Sequence, residues 1–138
     1  MLPETFSVTV VGRPAPQGSK KYVGNNRFVE ASKYLPAWRK AIVDACQAQT
    51  ITTFTTAVVC VVFVFIDKPA SVTLPYPTSI RTGDADKHAR SIGDALTISG
   101  VVADDSLIVD FIVHKRWAQG VEPGALITVY EKENNVTS

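Results

Sequence analysis

The sequence predicts an α+β fold: a small single domain, a mixed β-sheet with two main helices packed on it, in the order β, hairpin, α, β, α, β, β. Short segments that alternate or are continuously apolar indicate the strands, and two longer segments with apolar residues at helical spacing indicate the helices. The 138 residues suffice to bury one core. No linker or internal repeat interrupts the chain, so we expect residues 1–138 to form one domain.

The first half of the chain contains a strand, a hairpin and a helix. Residues 6–11 alternate in polarity and predict a strand, after which two prolines and two glycines interrupt residues 12–19. Residues 22–23 and 27–29 flank Gly-Asn-Asn, a sequence typical of a β-hairpin. Residues 35–49 have apolar positions at helical spacing, and a proline is tolerated in the first turn.

A continuous apolar run at residues 57–66 predicts a central strand covered on both faces, because valine and phenylalanine dominate it. Ten residues are too few for a membrane-spanning helix, which needs about 20. A proline-containing loop at 68–77 follows. We therefore expect no membrane association.

The second half supplies a helix and two strands. Residues 84–99 place apolar side chains on one helical face, and Gly100 is positioned to end the helix. Residues 107–113 alternate and predict a strand, and residues 126–130 predict the last one.

The composition is that of an ordinary folded protein, with 46% apolar and 20% charged residues. Cys46 and Cys60, the only cysteines, are predicted to be small buried hydrophobic residues and not a disulfide or zinc site. The N-terminus lacks a basic region followed by an apolar stretch, so we expect no signal peptide and a cytoplasmic location.

Charge is distributed unevenly along the chain. Residues 13–40 contain seven bases and one acid, whereas the rest contains seven bases and twelve acids. The predicted hairpin carries Lys20, Lys21 and Arg27, which makes it a candidate arm for holding a polyanion such as DNA through its phosphates. An unevenly charged solvated surface is the alternative interpretation.

Carboxylates cluster around the predicted second helix. Asp84 and Asp86 stand at its start, and Asp104 and Asp105 follow its end. Because neighbouring carboxylates repel one another, such a cluster favours a hard divalent cation such as Mg²⁺. Asp is also common in the first turn of helices and in polar turns, so each pair has a purely structural interpretation. Spacing alone leaves both interpretations open.

The same helix supplies the cations Lys87, His88 and Arg90. A metal held by acids beside basic side chains is typical of phosphodiester chemistry. His88 and His114 are isolated, and such histidines are more often surface or packing residues than ligands. The sequence contains no Ser-His-Asp or Cys-His arrangement and no Gly-rich phosphate loop. Hydrolysis by a metal-activated water therefore fits better than covalent catalysis.

The segment between Asp84 and Lys115 carries a series of motifs: DADKHARSIGDAL, then GVVADD, then Asp110 and Lys115. It resembles the RusA family of Holliday-junction resolvases, which have Asp-x-Asp-Asn, a basic residue four positions later, Asp-Ala-Leu, a Gly, and Asp-Asp before a strand that ends in Lys. The chain is also similar in length and element order. Its Gly- and Pro-rich opening at residues 12–20 is similar to phage-type members.

The resemblance implies a homodimeric, Mg²⁺-dependent endonuclease that cuts four-way DNA junctions with paired symmetric nicks, and Mn²⁺ is expected to substitute. By position, Asp84, Asp86 and Asp105 would be the catalytic, metal-binding carboxylates. Arg90 would take the place of the essential lysine. Lys115 would contact DNA. The first long helix or the last strands would supply the dimer interface.

Two positions depart from the family pattern. Lys87 stands where the family has Asn, and Arg90 where it has Lys, so both keep or add positive charge. Because arginine does not readily give up a proton, Arg90 is expected to stabilise transition-state charge, with Lys87 as a helper. These changes bear on catalytic efficiency.

Two other functions remain open at this point. Lys87 and Arg90 could neutralise the acids directly, which would make the protein a non-catalytic binder of branched DNA. The same acidic site could also serve a nuclease that acts on flaps or on RNA.

Overall fold

The computed structural model describes residues 4–18, 20–25, 28–30 and 33–133. Its elements are, in chain order, β1 (Thr5–Val11), β2 (Lys20–Tyr22), β3 (Phe28–Glu30), α1 (Leu35–Gln47), β4 (Val58–Ile66), α2 (Ala85–Ser99), β5 (Ile108–Trp117) and β6 (Gly124–Glu131). Short 3₁₀ turns, Ile80–Thr82 and Asp105–Leu107, precede α2 and β5. The predicted element order is confirmed.

The main sheet is mixed, as predicted, with its strands in the order β1-β6-β4-β5. β6 pairs antiparallel with β1 and β4, whereas β4 and β5 are parallel. A parallel pair requires a crossover connection, and α2 provides it, so α2 runs antiparallel to β5. β2 and β3 form a separate antiparallel pair, in which Lys20 lies opposite Glu30.

One face of the main sheet carries the core, because α1 and α2 both pack on it. β1 alternates exposed and buried residues, and its buried residues join those of both helices in one cluster. The helices contribute Leu35, Trp38, Ile42, Cys46, Ile92, Ala95 and Leu96. Cys46 and Cys60 are buried free thiols, as predicted, and burial raises the pKa of Cys60 to about 12.

The other face of the sheet is only half covered, which corrects the prediction for β4. Val58, Cys60, Val62 and Val64 are fully buried beneath the helices. On the opposite face Phe63 is half-buried and stacks on the His114 ring at 4.4 Å. Both helices lie on one side, so in a single copy of the chain nothing among the described residues packs over this second side as a layer.

The predicted boundaries differ from the observed ones by a few residues. α1 ends at Gln47, two residues early, and β5 continues to Trp117, four residues past its predicted end. α2 ends as predicted at Gly100, which adopts a left-handed conformation with φ of 84°. Within the described ranges, no helix is long and apolar enough to cross a membrane.

Candidate active site

The start of α2 presents two carboxylates from different backbone conformations. Asp84 is the N-cap residue and is extended, with φ of −79° and ψ of 146°, and Asp86 lies in the first helical turn. The Asp84 side chain is exposed and makes no capping hydrogen bond. It instead faces Lys87, whose Nζ lies 3.7 Å from Asp84 Oδ2. Capping therefore does not account for the Asp84 carboxylate.

The second pair of acids divides into a structural and a free carboxylate. Asp104 Oδ2 accepts a hydrogen bond of 2.9 Å from the Ser106 backbone N–H, which closes a local turn. Hydrogen bonding from the Ser106 side chain, together with that from its backbone N–H, lowers the pKa of Asp104. Asp105 begins the 3₁₀ turn and is exposed, and its carboxylate makes no hydrogen bond or ion pair with another described residue. Asp105 is therefore the member of the pair that is available to a ligand.

A close approach between α2 and β5 brings Asp105 to the face of the helix that carries Asp86. Gly93 lies at the contact, where an added Cβ would be 3.5 Å from Phe111 Cε2 and 3.8 Å from Asp105 Cβ. Side chains larger than alanine would push the two elements apart. The resulting cleft, called the acidic cleft here, encloses about 250 Å³ and is lined by Asp86, Ala89, Arg90, Gly93, Asp105, Ile108 and Phe111.

A second cleft adjoins the acidic cleft at Asp105. It encloses about 290 Å³ and is lined by Arg39, Asp94, Thr97, Ile98, Asp104 and Asp105. Carboxylates are thus spread along α2 and do not meet at one point. Among the residues that the structure describes, no three Asp, Glu, His or Cys side chains lie close enough to hold a metal ion. Asp84 lines neither cleft.

The acidic cleft fits a hard divalent cation in its donor chemistry. Asp86 and Asp105 offer carboxylate oxygens, and no ion pair with another described residue occupies either of them. Mg²⁺ is commonly bound through one or two carboxylates, with water or substrate phosphate completing its coordination. These two residues would suffice to hold it. The assignment of Asp84 as a third ligand stays a prediction.

Arg90 lines the same cleft, and its side chain packs against the loop before the hairpin. An added Cβ at Gly18 would lie 2.5 Å from Arg90 Nη1, so the guanidinium rests directly against the glycine backbone. Gly18 also has a φ of 110°, which other residues rarely adopt. The cation predicted to stabilise transition-state charge therefore lines the cleft with the two carboxylates.

Lys115, on β5, contacts the turn that precedes Asp84 and α2. Its Nζ donates a hydrogen bond of 3.0 Å to Thr82 Oγ1. Burial lowers the Lys115 pKa, and the Asp84 charge partly offsets this. His88 is a buried packing residue whose Nε2 lies 2.6 Å from the Thr82 carbonyl oxygen, and burial lowers its pKa. Lys115 therefore supports the Asp84 turn, a contact that the sequence did not predict.

The other predicted DNA-binding residues are Lys20, Lys21, Arg27 and Lys87, of which Lys87 lies in the first turn of α2. Lys20 and Lys21 lie on β2, and Arg27 falls outside the described residues. Sequence reasoning missed Gln17 and Arg39, which contact α2 beside the clefts. Asp94, their partner, was visible only as the first residue of the Asp-Ala-Leu motif.

The cleft combines two available carboxylates with an arginine on a small α+β domain. These groups are typical of metal-dependent nucleases. The family model described as endodeoxyribonuclease RusA matches residues 11–130 of this chain. The chain therefore belongs to the RusA endodeoxyribonuclease family. The matched range includes both clefts, the Asp84 turn and the hairpin. No individually curated protein matches the chain.

Proposed function

We propose that this protein is a Mg²⁺-dependent, structure-selective endonuclease that resolves four-way (Holliday) DNA junctions by paired symmetric nicks. The observation that carries the proposal is the convergence of Asp86, Arg90 and Asp105 on one cleft of a RusA-family chain. These residues come from two separate parts of the sequence, and only the fold brings them together.

Asp86 and Asp105 would hold the cation, with Asp84, two residues before Asp86 at the N-cap, as a further candidate. When bound, Mg²⁺ lowers the pKa of a water molecule and offsets the negative charge of the phosphodiester. The two carboxylates would also orient the phosphate, because their negative charge repels its oxygens except where a cation lies between.

Arg90 would stabilise the charge that develops on the phosphoryl oxygens. Its guanidinium is always protonated, so it acts as a fixed positive charge and hydrogen-bond donor and not as an acid. Gly18 favours this role because it allows the guanidinium to lie close to the loop backbone at the edge of the cleft.

Lys20, Lys21 and Arg27 would hold the DNA arms through their phosphates, together with Lys87 in the first turn of α2 and Lys115 on β5. Binding of this kind depends strongly on salt and little on base sequence. It would let the protein choose its substrate by DNA shape.

A direct test compares a synthetic four-way junction with a linear duplex of the same sequence, in Mg²⁺ and in EDTA. We expect paired, symmetrically placed nicks in the junction with Mg²⁺, no nicks in EDTA, and little cutting of the duplex. Equal cutting of both substrates would remove junction selectivity, and preferential cutting of flaps or RNA in the same assay would favour another nuclease function.

A non-catalytic DNA-binding protein is the second candidate, and one contact favours it. Lys87 lies 3.7 Å from Asp84, so a protein cation already offsets one of the acids. The corresponding pairing is not seen at Asp86 or Asp105 among the described residues. Calorimetry with Mn²⁺ separates the candidates, because the binder would show no uptake that depends on these carboxylates.

We also propose that the protein is a homodimer that uses the half-covered face of its main sheet. The apolar side of α1 is already buried in the core, which leaves the last strands as the better candidate. That face presents Ile112, which is 44% exposed, and Leu126, beside the stack of Phe63 and His114. Two such faces would shield each other from water.

The dimer proposal predicts the effect of Ile112→Glu. We expect this change to raise the dimer dissociation constant by about 100-fold or more, because an unpaired carboxylate buried in an interface costs ~3 kcal/mol. Val121→Glu, at an exposed position in the loop between β5 and β6, should leave it unchanged. Sedimentation velocity measures both, and a monomeric parent protein or an unaffected Ile112→Glu dimer would contradict the proposal.

A further inference from the structure

Gln17 connects three parts of the molecule through hydrogen bonds. Its side-chain amide nitrogen donates to Asp94 Oδ2 at 2.5 Å, and its amide oxygen accepts from Arg39 Nη2 at 2.7 Å. Its backbone N–H donates to the Lys87 carbonyl oxygen at 3.0 Å. One residue therefore ties the loop before the hairpin to α1 once and to α2 twice.

The residues on either side of Gln17 press the same loop onto α2. Ala15 is buried in the core, and Pro16 packs against Gly83, where an added Cβ would lie 2.7 Å from Pro16 Cγ. Gly18 then lies beneath the Arg90 guanidinium. The loop thus follows the helix from the Asp84 turn to the acidic cleft before the chain enters β2.

Beyond this loop, the hairpin has its own two-stranded sheet and is not part of the main one. The loop that joins the hairpin to the rest of the protein therefore contributes to where β2, with Lys20 and Lys21, lies relative to α2. Gln17, three residues before β2, makes hydrogen bonds to both helices.

We propose that Gln17 is a positioning residue that fixes the basic hairpin and Arg90 relative to the acidic cleft. The inference rests on the proposed nuclease function. It adds that the position of the DNA-binding hairpin is coupled to that of the catalytic residues of the acidic cleft. It also assigns a role to Asp94 of the Asp-Ala-Leu motif, which accepts the hydrogen bond from the Gln17 side chain.

Gln17→Ala tests the proposal without leaving a buried charge unpaired. Arg39 Nη2 already lies 4.0 Å from Asp94 Oδ2, so the two can pair directly once the amide is gone. The matched control is Gln49→Ala, which removes another glutamine tether, the bond of 3.0 Å from Gln49 Nε2 to the Ser7 carbonyl oxygen. That bond lies on the far end of α1, away from both clefts.

The first readout is a distance that does not depend on catalysis. Val23→Cys on the hairpin and Ile98→Cys on α2 provide two exposed positions for spin labels. The native thiols are buried with raised pKa values, so the label reacts at the introduced sites. We expect a narrow distance distribution in the parent and in Gln49→Ala, and a broad one in Gln17→Ala.

The second readout is single-turnover cleavage of the four-way junction. We expect Gln17→Ala to slow cleavage by about tenfold or more, because small misplacements of catalytic groups are costly. Junction affinity, measured without divalent cation, should change by less than about threefold because the phosphate-binding charges remain.

A double variant in which the amide and the carboxylate exchange positions distinguishes the hydrogen bonds from general packing. Gln17→Glu alone replaces the donor to Asp94 with an acceptor, and we expect broadening and slow cleavage as in Gln17→Ala. Adding Asp94→Asn restores a donor opposite the new carboxylate, while Arg39 keeps its acceptor. The double variant should recover the narrow distribution and most of the rate.

The outcomes are separable. A narrow distribution in Gln17→Ala overturns the proposal, whatever the cleavage rate. A broader distance distribution without slower cleavage overturns the proposed coupling between the hairpin position and catalysis. If the parent does not cut junctions, the proposed function fails, while the distances still decide whether Gln17 fixes the hairpin.

Discussion

Asp105→Asn is expected to abolish most junction cleavage while leaving the junction bound. The change removes one of two carboxylates in the acidic cleft without altering side-chain size. Because the cation supplies several kcal/mol of charge stabilisation, we expect single-turnover cleavage to fall on the order of 10³-fold. Affinity measured in EDTA should be equal or slightly tighter, since one negative charge fewer faces the phosphates.

Asp104→Asn is the matched control for this result. The neighbouring residue also lines the second cleft, but its structural task is to accept the Ser106 N–H, which an amide oxygen can do equally well. We therefore expect near-normal cleavage. Equal losses in both variants, or full activity in Asp105→Asn, would mean that the acidic cleft is not where the metal acts.

Arg90→Ala is expected to have the second largest effect. Removing the guanidinium takes away a positive donor aimed at the developing charge, which typically costs 10²- to 10³-fold in the rate of the chemical step. Arg90→Lys should retain most of the activity because the charge persists, and the family carries lysine at this position. Single-turnover kinetics at saturating protein isolates the step from DNA binding.

The control for lost positive charge is Lys40→Ala. Lys40 is exposed on α1, pairs with Asp44, and lies outside both clefts. We expect its removal to change the cleavage rate little. A loss comparable to that of Arg90→Ala would indicate a general effect of net charge on DNA association, and an active Arg90→Ala would exclude the assigned role.

Local features explain why much of the fold was predictable. The start of α2 follows from acids beside helical apolar spacing, and its end follows from a glycine that adopts φ of 84° at Gly100. A mixed sheet was predicted, and its parallel pair, β4 and β5, is joined by a helix as such pairs require. Each inference used residues close together in the sequence.

Features that depend on tertiary contacts were not predictable. The pattern of residues could not tell which member of the Asp104-Asp105 pair was free, because the Ser106 hydrogen bond depends on the turn geometry, and only the family resemblance selected Asp105. It could not show that Asp84 would face Lys87 and lie outside the acidic cleft. That Asp86 and Asp105 line one cleft depends on how closely α2 approaches β5 at Gly93.

The half-covered sheet face illustrates the same limit. A strand rich in valine and phenylalanine predicts burial on both sides, yet both helices pack on one side of β4. Composition records how apolar a strand is, but not which layer covers it. The second side is accounted for if another copy of the chain packs there, as we propose.

The most direct test of the central claim is anomalous scattering from crystals soaked in Mn²⁺. The claim is that Asp86 and Asp105 trap a divalent cation in the acidic cleft. It predicts a manganese peak at these two carboxylates that disappears in Asp105→Asn crystals. No peak even at high Mn²⁺, or a peak that persists without the Asp105 carboxylate, would contradict it.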